Sequence, residues 1–282
     1  MNDGILIVGA RGLLGSSLVR WADAQGLRWR GTSSAPSPGL IPLDLRRDAD
    51  IDRLEERPRV AFLLAAETNL RRCQDHPEET RRLNVDQTAR LARRQHAAGA
   101  NIVFISTNLV FDGTRAGQMP EDTSAPNTEY GRQKAELEEI LVGELARTAV
   151  VRLTKVVHPA FPLFRDWLAA LTRGEAIRPF SDLPFCPVDL ALVTEELGAL
   201  GQSFRPGVFQ LSGDADLSYA EAARLLAETR GFSLALVQPR TTEEAGLTSP
   251  FPLHTALAHR PVREGGKAES AADTLRRIFR AL

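Results

Sequence analysis

The chain has 282 residues, 43% apolar and 25% charged, enough to bury the core of one large domain or two smaller ones. A formal net charge of −1 argues against a general nucleic-acid binder, and no apolar run approaches the roughly 18 residues of a membrane span. Two distant cysteines, Cys73 and Cys186, and five histidines without ligand spacing suit free thiols in a reducing compartment, with no disulfide framework and no metal.

The chain opens Met1-Asn2-Asp3-Gly4, without the basic start of a secretory signal, so a cytoplasmic location is expected. A strand over Ile5–Val8 leads directly into Gly9-Ala10-Arg11-Gly12-Leu13-Leu14-Gly15 and a helix over 12–24. Glycines at such a turn let backbone approach a pyrophosphate at a helix N-terminus. This predicts a dinucleotide site at Gly9, Gly12 and Gly15, with Arg11, Leu13 and Leu14 beside them. The second strand is expected over 27–31. An NAD site offers a carboxylate near its end for the ribose 2′-hydroxyl, but Trp29-Arg30-Gly31-Thr32-Ser33-Ser34 has none. Arg11 and the hydroxyls of Ser33 and Ser34 suit a 2′-phosphate, so NADP(H) is the expected cofactor. A merely solvated Arg11 is the alternative.

A helix over 49–56, a strand over 60–65, a helix over 77–98 and a strand over 102–106 follow. The strands are continuous aliphatic runs, as when helices cover both faces of a sheet. Their alternation with helices predicts a doubly wound, parallel, Rossmann-like α/β fold. Ligands bind beyond the carboxyl ends of such strands, where Thr107 follows the 102–106 run. Its hydroxyl suits a substrate carbonyl oxygen; a plain strand-ending turn is the alternative.

The next helix, 130–146, opens with Tyr130-Gly131-Arg132-Gln133-Lys134. Positions i and i+4 share a helix face, so phenol and ammonium converge. A free phenol titrates near 10, and the ammonium is expected to lower it toward the working range. With two tyrosines and three lysines in the chain, chance supplies about 0.02 such pairs. A lysine kept among 35 basic residues that are otherwise almost all arginine points to a compact charge.

After a strand over 149–153 the rhythm breaks at Pro159, Pro162, Pro179, Pro184 and Pro187. Helices are expected over 163–173, 188–200, 219–229 and 269–282, a strand over 208–211 and loops over 239–252. The expected organisation is an NADP-binding domain from 1–153 plus 186–212 and a smaller substrate-facing domain from 154–185 plus 213–282.

The glycine loop, Leu64-Ala65-Ala66-Glu67-Thr68, Leu83-Asn84-Val85, the run from Ile105 to Gly113 and the Tyr130–Lys134 pair make the chain resemble the extended short-chain dehydrogenases, and among them the dTDP-4-dehydrorhamnose reductase family. The resemblance implies Thr107, Tyr130 and Lys134 as the catalytic trio, Asp44 and Leu45 near the adenine, and Ala65, Ala66 and Thr68 along the cofactor. It also implies an NADPH-dependent reductase of a nucleotide sugar, contacted by Thr107, Asn108, Phe111, Tyr130 and Arg260, and allows a homodimer. The family has aspartate and tyrosine where this chain has Asn108 and Leu109. Two other readings follow: a sugar-nucleotide epimerase of the same superfamily, or a non-catalytic NADP-binding regulatory subunit.

Overall fold

A computed structural model describes residues 4–247 and 251–282; residues 1–3, on which the cytoplasmic expectation rests, and residues 248–250 of the 239–252 loop lie outside the described residues. Strand β1 (Ile5–Val8) runs through the glycine loop into helix α1 (Leu13–Ala24). β2 spans Trp29–Ser33, two residues later than expected. Gly26, at φ +64°, ends the α1 turn and the Leu27 N–H goes to Ala22 O (2.9 Å), so pairing with β1 starts at Trp29 opposite Ile5. β3 (Ile41–Pro42), α2 (Asp48–Arg53) and β4 (Val60–Leu63) follow.

A short α3 (Leu70–Asp75) that was not expected comes next, and the helix expected over 77–98 is broken into α4 (Pro77–Arg81), a π-helical turn over Arg82–Gln87 and α5 (Thr88–Ala97). Then come β5 (Asn101–Thr107), a 3-10 turn over Asn108–Val110, α6 (Glu129–Glu144) and β6 (Thr148–Leu153). The proline-rich stretch holds β7 (Lys155–Val157), α7 (Pro162–Thr172), β8 (Pro184–Phe185) and β9 (Pro187–Asp189). α8 (Leu190–Gln202), β10 (Gly207–Leu211), β11 (Leu217–Ser218), α9 (Tyr219–Arg230) and α10 (Ala271–Arg280) complete the chain.

Seven strands form one parallel sheet in the order β10-β6-β5-β4-β1-β2-β3. Alternate residues of each strand face opposite helix layers. Ile5 and Ile7 pack with Leu18 of α1 and Leu197 of α8, while Leu6 and Val8 pack with Leu91 of α5 and Leu137 and Leu141 of α6. Each fully buried leucine contributes roughly 1.5–3 kcal/mol. A third core gathers Phe164 and Trp167 of α7, Leu226 of α9 and Phe279 of α10, with Phe164 and Phe279 edge to face at 5.0 Å. β1 has β2 on one side and β4 on the other, so the winding reverses there and opens a crevice at the carboxyl ends of the strands. Among the described residues no helix is long and apolar enough to cross a membrane.

Candidate active site

The glycine loop lies at that crevice, and its three glycines differ in what they meet. Gly9 has φ +90°, and a Cβ on it would lie 3.0 Å from the Ala65 nitrogen. A Cβ on Gly15 would lie 2.8 Å from Ala10 Cα, so this glycine is needed for α1 to pack on the loop. Gly12 heads α1 without a side-chain cap, and a Cβ there would touch Gly9 O alone, at 3.4 Å. Its open side is the one where a phosphate can approach the free N–H groups of the first turn. The residues present thus fit a dinucleotide.

Beside the loop is a cleft of about 250 Å³ walled by Gly9, Ser33, Ser34, Asp44, Leu45, Ala65 and Ala66, which are seven of the expected cofactor residues. The later start of β2 makes Ser33 its last residue. Ser33 Oγ accepts from the Ala35 N–H (3.2 Å) and keeps its proton to donate. Asp44 is not free: Arg46 donates to it from Nε and Nη2, both at 2.9 Å, and this holds its carboxyl below the ordinary aspartate range. Arg46 also walls the cleft, as does Arg72, which donates to Glu79 (2.8 Å). Sequence reasoning missed both arginines. Arg11, Gly12 and Leu13 are exposed at the loop's tip, Leu14 is half-buried, and Thr68 is exposed beyond the end of β4.

Thr107 is the last residue of β5, one position beyond the expected strand. Its Oγ1 accepts from the Leu109 N–H (3.2 Å) and donates to Asn108 Oδ1 (3.4 Å). Tyr130 and Lys134 lie in the first turns of α6, which packs against β5 and the turn after it. The Lys134 amine donates to Ile105 O at 2.9 Å and lies 4.5 Å from the Phe104 ring centre and 5.7 Å from that of Tyr130. The expected lowering of the phenol by the ammonium is overturned. Burial pushes the Tyr130 phenol up, with a smaller push from Cys73. The same burial lowers Lys134 to about 8, opposed by Glu138. Both groups share one desolvated site, and the amine turns to a strand carbonyl. Burial thus favours the neutral phenol.

Two contacts that place α6 had no reading in the sequence. Thr128 caps the helix, accepting from the Gly131 N–H (3.1 Å). A Cβ on Gly131 would overlap the Leu109 carbonyl oxygen and come within 2.9 Å of Thr128 Oγ1, so this glycine lets α6 rest directly on the turn after Thr107. The signal available was a threonine three residues before a glycine that adjoins the tyrosine. Farther along the helix, Gln133 receives a hydrogen bond from Asn84 (2.8 Å) and donates to Thr80 (2.9 Å). Asn84 also exchanges bonds with the backbone of Glu67 (2.8 and 3.0 Å). The π-helical turn that carries Asn84 thus ties α6 to the segment after β4, and Asn84 is a structural bonder.

The expected substrate residues are scattered. Asn108 sits beside Thr107. Phe111 is only 2% exposed, packs with Val110 and Leu257, and lies under the Arg152 guanidinium at 4.9 Å. Its side chain is core, which corrects the expectation of a substrate contact. Arg260 lies at the open edge of β10, pairing by backbone with Gln210 and by its guanidinium with Glu121. Its guanidinium is paired within the chain, but both side chains stay more than half exposed, so the pair leaves the expected sugar-nucleotide contact open. Arg152 is itself buried in a pair with Glu138 (2.6 Å) and donates to Gln210 and to Pro120 O, both at 3.2 Å.

The family model described as RmlD substrate binding domain matches residues 1–276. The beta subunit of methionine adenosyltransferase 2 from Bos taurus is 30% identical over 157 residues, which is 54% of this chain and 46% of that protein. The dTDP-4-dehydrorhamnose reductase of Mycobacterium tuberculosis is 25% identical over 92% of this chain and 86% of its own. The crystal structure of dTDP-4-dehydrorhamnose reductase from Bacillus anthracis in complex with NADP superposes with a TM-score of 0.88 over 100% of both chains, at 22% identity.

Proposed function

We propose that this chain, which belongs to the RmlD substrate binding domain family, is an NADPH-dependent reductase of a keto group on a nucleotide-activated sugar. The observation that carries the reading is the Tyr130–Lys134 pair in the first turns of α6, its amine held on Ile105 O near the carboxyl end of β5, where burial favours the protonated phenol. A group that must give a proton to a carbonyl oxygen near neutrality needs that state. The mycobacterial relative's activity and the NADP bound to the structural neighbour support the substrate and cofactor classes.

Gly9, Arg11, Gly12, Leu13, Leu14 and Gly15 would hold the pyrophosphate, with Arg11, Ser33 and Ser34 on the 2′-phosphate. Asp44 and Leu45 would flank the adenine, and Ala65, Ala66 and Thr68 would line the way to the nicotinamide. The cofactor supplies the hydride. Tyr130 donates its proton to the substrate oxygen, and the Thr107 hydroxyl turns from Asn108 to donate a second hydrogen bond to that oxygen. Lys134 keeps two N–H bonds beyond the one spent on Ile105 O. Those bind ribose hydroxyls, and its charge stabilises the phenolate left on Tyr130.

Loss of NADPH absorbance with a panel of 4-keto sugar nucleotides tests this reading. Turnover is expected, with a drop of about 100-fold or more in Tyr130→Phe; undiminished activity in that variant refutes the assigned donor. A second reading, a non-catalytic NADP-binding regulatory subunit, is favoured by the bovine relative and by Asn108 in the place of an acid. It predicts NADPH binding without turnover of any panel member.

A further inference from the structure

Arginine makes the ion pairs of this protein, as at Arg93–Glu144 and Arg152–Glu138. Lysine is rare, and one of its three occurrences is Lys134. Another, Lys155, opens β7 just past the carboxyl end of β6. Leu153, two residues before it, pairs with Thr107 across the sheet. Lys155 thus starts two residues beyond the Leu153–Thr107 pair, at the same end of the sheet as Thr107. On its other side Lys155 is tied to the substrate-facing segment: it is paired with Pro187, and its N–H donates to Cys186 O (2.9 Å).

The side chain has a seat and, among the described residues, no salt-bridge partner. Its Nζ stands 5.5 Å over the Phe161 ring, and Phe161 is held edge to face with His158 at 6.2 Å. The residue is exposed, yet burial alone shifts its amine downward and no carboxylate raises it. Lys155 is thus reachable from outside while its amine is partly desolvated. An ammonium held there without an acid is a site made for an anion from outside the chain. Arginine, the residue this chain chooses for its internal pairs, is absent from that position.

We infer that Lys155 is a specificity residue that binds an oxyanion of the sugar nucleotide, either the phosphate on the anomeric carbon or a carboxylate on the sugar ring. The inference deepens the reductase reading and rests on it. A flexible four-carbon stem from that end of the sheet lets the ammonium reach toward a ligand held by Thr107 and Tyr130. Phe161 steadies it by a cation–π contact that leaves the N–H donors free.

Calorimetric binding of UDP, UDP-glucose and UDP-glucuronic acid to the NADPH-loaded protein tests it, in wild type, Lys155→Met and Lys155→Arg. If the phosphate is the partner, Lys155→Met weakens all three ligands about tenfold or more. If the carboxylate is the partner, only UDP-glucuronic acid is weakened. Lys155→Arg retains most of the affinity in either case, and NADPH affinity stays level in both variants. Equal affinities in wild type and Lys155→Met overturn this inference and leave the reductase reading standing. A wild-type protein that binds NADPH but none of the three ligands defeats the sugar-nucleotide reading, and this inference with it.

Discussion

Replacing Gly131 by alanine tests whether the candidate site depends on α6 resting against the Asn108–Val110 turn. The added Cβ would lie 3.0 Å from the Leu109 carbonyl carbon, 2.9 Å from Thr128 Oγ1 and closer still to Leu109 O. None of these atoms is the free end of a flexible side chain, since Leu109 contributes backbone and Thr128 is fixed by its capping bond. Restoring ordinary contact requires the helix start to retreat by about 1 Å, carrying Tyr130 away from Thr107. Overpacking of this kind costs roughly 1–3 kcal/mol, and a misplacement of about 1 Å at a reacting group costs about 100-fold in rate. Gly143→Ala on the same helix is the control. Nothing lies within 4 Å of its Cβ position, and exchanging glycine for alanine there should stabilise by up to about 1 kcal/mol. Thermal melts and kcat/KM for NADPH oxidation of both variants, with NADPH affinity as the folded-state check, settle the matter. Gly131→Ala with wild-type melting and wild-type kcat/KM would refute the reasoning.

The lowered Lys134 gives a pH dependence whose sign can be worked out. Below about pH 8 the amine is charged in both folded and unfolded chains, and the folded state bears the full penalty of burying it. Between about 8 and 10.5 the folded protein has released the proton and the unfolded chain still holds it, so stability contributed by this group rises with pH. The gain of wild type over Lys134→Met across that window should reach roughly 3 kcal/mol by denaturant titration; a flat difference contradicts it. At the Arg152–Glu138 pair, with side chains 5% and 7% exposed, Glu138→Gln should cost about 3–5 kcal/mol in urea unfolding. The double variant Glu138→Leu/Arg152→Met should recover much of that loss; an additive double variant would show that the pair is not coupled. Arg11→Ala should weaken NADPH about tenfold and leave NADH unchanged, as measured by fluorescence titration; equal losses for both dinucleotides would remove Arg11 from the 2′-phosphate.

The central strands were legible because they are buried on both faces: Ile5–Val8 and the aliphatic runs that form β4, β5 and β6 read as strands without any partner in view. β3, β8, β9 and β11 were not, since two or three residues carry no period and exist only by virtue of the strand beside them. The broken helix before β5 was misread as one continuous helix. Its π-helical turn answers to Glu67 and Gln133, which lie 17 residues before and 49 after Asn84. The same division runs through the candidate site. The i, i+4 spacing of Tyr130 and Lys134 is local and could be read, whereas the electrostatics of the pair were read with the wrong sign because desolvation depends on what packs around it. Phe111 looked like a substrate contact next to Asn108 and proved to be core, since Leu257, which packs on it, lies far along the chain.

Gln210 on β10 accepts a hydrogen bond from Arg152 while donating to the backbone oxygens of Gln118 and Ala258. A nascent chain therefore carries six strands of the sheet before Gln210, a partner of Arg152, has been made. Gln210 in turn gains its Ala258 acceptor only 48 residues later. The buried charge pair that braces α6 is therefore among the later parts of this fold to be finished.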